Sequence, residues 1–282
     1  MSLSHGNETV AETEHVYYEV QLLEKERALV RVIEIENPDS ALVFCNTKAT
    51  TRYVAKVLQR FGYDAEMLSA ELTQAARERV LKRAYDRQLR FLVATDVAGR
   101  GIDISHLSHV FLYEFPEDPE SYIHRTGRTG RAGASGTAIS LVGKLERLDL
   151  KAVAKRYNVD IERRELPTDE DVQEVVSERV TALLENRLRN LDKLVAERMQ
   201  RMMPLAKRLG DDPDELAIVA MLLDDYYQKT LHSAPDVPDS PPKKKTKKPV
   251  EDSVTVSDKP ETEEGSRGGG SRRRNRRGGR RR

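Results

Sequence analysis

The stretch Ala41-Leu42-Val43-Phe44-Cys45-Asn46-Thr47 begins with an unbroken apolar run and then leads into residues 48–61, where Val54, Val57, Leu58 and Phe61 recur at helical spacing before Gly62. A short apolar run bounded by polar turn residues reads as a strand buried on both faces. Apolar residues three and four apart read as one face of a helix. The same alternation continues outward. Ala65-Glu66-Met67-Leu68 is followed by a helix over 73–85, the strand Phe91-Leu92-Val93-Ala94, the strand Val110-Phe111-Leu112-Tyr113, a short helix near 121–125, a strand over 137–142, a helix over 145–157 and an extended piece over 160–164. Strands interleaved with helices predict an α/β fold, a parallel sheet with helices on both faces. In such sheets ligands bind at the carboxyl ends of the strands.

Composition narrows the class. The 282 residues are 34% charged and 38% hydrophobic, with mean hydropathy −0.64. The apolar stretch that includes residues 217–223 falls far short of the roughly 20 needed to span a bilayer, and residues 1–10 have no apolar core of a secretory signal. The single cysteine, Cys45, excludes an intramolecular disulfide and reads as a buried core residue. A cytoplasmic location is expected. The net charge of +1 conceals two segments: residues 233–282 carry 15 Lys and Arg against 8 Asp and Glu, leaving 33 against 39 for residues 1–232.

From 169 to 231 strand signals cease. Val172, Val176, Val180, Leu183, Leu184, Leu188, Leu191, Leu194 and Val195 predict one long amphipathic helix with Asp169-Glu170-Asp171 at its N-terminus. Asp212, Pro213 and Glu215 predict a capping box that opens a second helix, so the sheet is expected to be followed by an α-helical hairpin. Residues 267–282, nine Arg with five Gly and no acid, cannot bury a core and are expected to form a disordered polycationic tail.

The chemistry concentrates in His124-Arg125-Thr126-Gly127-Arg128-Thr129-Gly130-Arg131. Guanidinium groups set among glycines suit phosphate oxygens and the charge that develops in phosphoryl transfer. A collagen-like reading of Gly127, Gly130, Gly133 and Gly136 fails, because the period lasts ten residues inside an α/β pattern.

This stretch resembles the sixth motif of DEAD-box RNA helicases. Residues 93–103, Val-Ala-Thr-Asp-Val-Ala-Gly-Arg-Gly-Ile-Asp, resemble the fifth, residues 43–48 the fourth, and Gln74 with Arg77 the Q-x-x-R element. The resemblance implies the second RecA-like domain of such an enzyme over 16–165, preceded by a linker (1–15) from a missing first domain and followed by a helical extension (166–232) and the tail (233–282). It implies that Arg128 and Arg131 act as arginine fingers on ATP. Asp103 would bind the ribose, with His124 and Arg125 contacting the nucleotide side and the other domain. Asn46, Thr47, Arg77, Thr95 and Gly101 would lie along the RNA backbone, a sequence-independent grip. Taken alone, Thr95-Asp96 would instead end a strand and cap a turn, and Asp103 would be a turn residue. The extension resembles that of bacterial cold-shock-type DEAD-box helicases, where it mediates dimerisation; the other reading is a hairpin packed on its own domain. ATP and Mg²⁺ would be held mainly by the missing first domain, and the partners would be single-stranded or structured RNA.

Two positions depart from the family pattern. Ser69-Ala70-Glu71 stands where the family has His-Gly, and Gly99 replaces the usual Ala. No G-x-x-x-x-G-K-[ST] occurs in these residues, so the chain by itself is expected to be inactive, with the missing half N-terminal to Met1. A stand-alone RNA-binding module without nucleotide chemistry is the rival reading, and a DNA-translocating relative a weaker one.

The tail should supply most of the RNA affinity. Nine arginines each releasing about 0.7 counterion on single strands set a limiting log-log salt slope near about −6. Fluorescence anisotropy on the full chain and on a version ending at Ser266 checks this. Equal affinities and slopes would reduce the tail to a solubilising extension.

Overall fold

The computed structural model describes residues 13–99, 104, 106–130 and 135–231, all within the first of the two units into which the chain divides, Met1–Val237. Its centre is a seven-stranded, wholly parallel sheet in the order β3-β4-β2-β5-β6-β1-β7. The strands are β1 (Thr13–Glu19), β2 (Ala41–Phe44), β3 (Ala65–Leu68), β4 (Phe91–Ala94), β5 (His109–Leu112), β6 (Gly136–Val142) and β7 (Glu162–Arg164).

Period-two alternation sorts the core into two layers. Val43, Phe91, Val93, Phe111 and Ile139 point to one face, where they meet Leu29 and Ile33 of α1 (Lys25–Glu36) and Val54 and Leu58 of α2 (Lys48–Arg60). Leu42, Phe44, Leu92, Val110 and Leu112 point to the other. There they meet Val80 of α3 (Gln74–Tyr85), Tyr122 of α5 (Pro119–Thr126), and Leu150 and Val153 of α6 (Glu146–Tyr157). The short α4 (Asp96–Gly99) follows β4 directly. Thr47 and Thr73 cap α2 and α3 by accepting from Thr50 and Ala76. Gly62 ends the α2 turn at φ +84°, which L side chains rarely adopt.

The sheet begins at Thr13, inside the residues expected to be linker, because β1 inserts between β6 and β7. Among the described residues four helices follow the sheet: α7 (Asp169–Arg189), α8 (Lys193–Gln200), α9 (Met203–Asp211) and α10 (Leu216–Leu231). The expected single long helix is therefore divided. Asp192 caps a new start by accepting from Leu194, and Pro204, which cannot donate inside a helix, sits in the first turn of α9. The N-terminus of α7 is capped as its acids suggested, by a Thr168–Asp171 capping box. The expected box at Asp212 does not form: Asp212 accepts from Asp214, and Glu215 pairs with Arg208 at 3.4 Å.

These helices dock on α1. Arg179 of α7 donates to the Glu34 and Ile35 carbonyls at the end of α1, and Arg31 pairs with Asp169 at 2.7 Å. The buried Glu34 carboxylate accepts from two phenols, Tyr63 after α2 and Tyr227 of α10. Burial and the adjacent carboxylate push both phenol pKa values up, so both remain donors. Removing one donor leaves a buried charge less satisfied. Tyr227→Phe should therefore cost about 1.5–3 kcal/mol in urea unfolding, and a loss within error would show that α10 is not held by this bond.

Candidate functional site

The carboxyl ends of β2, β4 and β5 meet at one side chain. Asp118 starts α5 by accepting from Ser121 N (2.8 Å) and Oγ (2.6 Å), bonds that hold its carboxyl below the usual range, and Pro119 occupies the first turn. This places Arg125 in the last turn of α5, only 2% exposed. Its Nε and Nη2 donate to Asp96 Oδ1 and Oδ2 at 2.7 and 2.6 Å, a bidentate pair. Nη1 donates to the Glu114 carbonyl at 2.8 Å, and Nη2 also donates to Asn46 Oδ1 at 2.7 Å. The guanidinium carbon lies 5.4 Å from the Phe44 ring centroid.

Each partner is fixed in turn. Asn46 donates through Nδ2 to the Phe115 carbonyl at 2.9 Å, and its backbone N–H donates to the Glu114 carboxylate at 2.6 Å. Thr50 Oγ1 donates to the same carboxylate at 3.2 Å. Gly99 leaves room for Phe44: an added Cβ would stand 3.0 Å from the ring, closer than carbons ordinarily pack. Alanine at this position would press on the ring.

Above this arrangement lies a cavity of about 170 Å³ lined by Phe44, Asp96, Gly99, Ser121, His124, Arg125 and Arg128. His124 is exposed and lies 3.8 Å from Glu120; Arg128 is half-buried. The cavity is smaller than a nucleotide but has room for one phosphoryl-sized anion, with cationic side chains on its wall. Thr129 ties the following turn to the β5 approach by donating to the Leu107 carbonyl at 2.6 Å.

The expected RNA-side residues gather beside it. Thr95 directly follows β4, and its carbonyl accepts from Gly99 N at 2.7 Å. Arg77 Nη2 donates to the Ala98 carbonyl at 3.0 Å, fastening α3 to α4. Asn46 and Thr47 terminate β2 on the same edge. Gly101, Asp103 and Arg131 lie outside the described residues, as does the tail. Arg125, expected to contact nucleotide and the other domain, lines the cavity but is itself buried and bonded to three loops of its own domain, because an arginine out of water must be paired. Sequence reasoning missed Glu114 and placed Asp96 in the fifth motif without assigning it Arg125 as partner; the available signal was a polar residue directly after an apolar strand. Among the described residues no group of three His, Cys, Asp or Glu side chains could hold a metal ion, and no helix is long and apolar enough to cross a membrane.

Comparison with known proteins bears on this geometry. Residues 24–133 match the Helicase conserved C-terminal domain. The chain is 36% identical over 206 residues to RNA helicase CrhR of Synechocystis, covering 73% of this chain and 41% of that protein. It is 38% identical over 228 residues to ATP-dependent RNA helicase DeaD of Escherichia coli, covering 80% and 36%. It therefore spans well under half the length of these relatives. Among solved structures, the E. coli DEAD-box protein SrmB bound to regulator of ribonuclease activity A is 36% identical with TM-score 0.52, covering 56% of this chain and 92% of that one. The C-terminal domain of the DEAD-box protein Dbp5 is 29% identical with TM-score 0.54, covering 60% and 99%. A RecA-like parallel sheet, the motifs on its carboxyl edge and these similarities agree, and the chain belongs to the DEAD-box RNA helicases, whose C-terminal domain it carries.

Proposed function

We propose that the chain is the C-terminal part of an ATP-dependent RNA helicase, contributing Arg128 and Arg131 as arginine fingers and half of a single-stranded RNA cleft. The observation that carries this is the Arg125 anchorage, which fixes the end of α5 so that Arg128, three residues on, lines the cavity at the sheet's carboxyl edge. ATP with Mg²⁺, held mainly by a first domain, supplies the phosphoanhydride that water cleaves. A guanidinium already in place meets the developing charge without reorganising. His124 stands at the cavity mouth towards the nucleotide and the first domain, Asp103 takes the ribose, and Arg125 serves as a positioning residue. Asn46, Thr47, Arg77, Thr95 and Gly101 form the RNA-side edge, gripping backbone rather than bases.

The test joins this chain to a first domain bearing the phosphate cradle and the Mg²⁺ carboxylate; the chain alone should not turn over ATP. In the joined protein, Arg128→Ala should lower RNA-stimulated ATP turnover about 10³-fold or more with unchanged melting and little change in RNA binding. Arg125→Lys should instead cost about 3–5 kcal/mol of stability, since an ammonium cannot make the bidentate bond. Turnover that survives Arg128→Ala would remove the arginine-finger role, and a joined protein without RNA-stimulated turnover would leave the stand-alone RNA-binding module as the better reading.

The helical extension is proposed to pair with a second copy. Leu184, Leu188, Leu191, Val195, Met199 and Met202 line a groove of about 530 Å³ on α7 and α8, and Met202 and Leu188 are more than half exposed. Uncovered apolar stripes of this size favour self-association. Sedimentation of residues 1–232 should show a dimer; a clean monomer at tens of micromolar would remove the idea.

A further inference from the structure

After β3 the chain turns through Ser69-Ala70-Glu71. Ser69 is buried. Its Oγ accepts from Glu71 N at 3.0 Å and its carbonyl from Leu72 N at 3.2 Å. The turn aims the Glu71 carboxylate at the first turns of α2. There Lys48 Nζ lies 3.4 Å from Oε1 and Arg52 Nη2 3.1 Å from Oε2. Lys48 and Arg52 are four residues apart, hence on one face of the helix, and Lys48 directly follows Asn46 and Thr47. All three charged side chains are 54–55% exposed, so neither burial nor packing locks the bridge, and an exposed pair of this kind exchanges readily with other ions.

A carboxylate spanning two cations with its two oxygens has the charge and bite of a phosphodiester, whose two free oxygens can bridge the same pair. The N-terminal end of α2 adds positive potential at this spot. We propose that Lys48 and Arg52 are a phosphate-binding pair for the RNA backbone and that Glu71 occupies it until a strand displaces the carboxylate. The inference rests on the reading that RNA crosses this edge. Glu71 then acts as a built-in competitor. It lowers affinity for every strand, and it makes binding shallower in salt, because the displaced carboxylate recruits a cation as the phosphates shed theirs.

The experiment is fluorescence anisotropy of a labelled single-stranded RNA with the full chain at several salt concentrations; the tail is common to all variants and cancels in the comparison. Glu71→Gln should tighten binding roughly three- to tenfold at low salt and steepen the log-log slope by up to about 0.7, for the one phosphodiester that the pair would hold. Adding Lys48→Gln and Arg52→Gln should abolish that gain. Unchanged affinity and slope in Glu71→Gln overturns the proposal. If Arg77→Ala still weakens binding in that case, the edge binds RNA and only the competitor role falls; if Arg77→Ala is also silent, the reading of the edge falls with it.

Discussion

A guanidinium buried to 2% exposure must be bonded on every side or it would unfold what surrounds it. Arg125 meets that demand by drawing on the loops after β2, β4 and β5 at once, through Asn46, Asp96 and Glu114. The three strands converge on it only because they are parallel neighbours whose carboxyl ends share one edge. The geometry of the candidate site follows from this requirement. The pitch of α5, the place of Arg128 one turn later and the position of Asn46 at the head of α2 are set by where Arg125 finds its partners.

Burial and alternation made most of the sheet legible. β2, β4 and β5 are short apolar runs with both faces covered, so periodicity named them without help from tertiary structure. β1 escaped because one of its two buried faces carries Thr13 and His15 in place of aliphatics; His15 Nδ1 lies 3.0 Å from the Tyr122 hydroxyl, a contact invisible from local pattern. The helices after the sheet show the opposite failure. Apolar spacing ran on past Leu191, yet Asp192 and Pro204 break the backbone, and local capping chemistry overrode the stripe.

The site divides the same way. Arg128 could be singled out from a run of cations and glycines, because that composition is local in the chain. The role of Arg125 could not, because it depends on residues 29 and 79 positions away in the chain. Glu34 is a second such case. One carboxylate collects phenols from Tyr63 and Tyr227, and no pattern in either segment announces that they share it. That carboxylate makes the appended helices continuous with the sheet domain's own packing.

The close approach at Gly99 carries a consequence for the lineage of this protein. Phe44 and residue 99 occupy a single volume under Arg125, divided here as a full ring on the strand and nothing on the turn. A methyl group gained at 99 requires the ring at 44 to give by a few tenths of an ångström, so a substitution at either site is felt at the other. A motif transplanted from a relative with alanine at the turn would press on the Phe44 ring until the ring or the turn shifted.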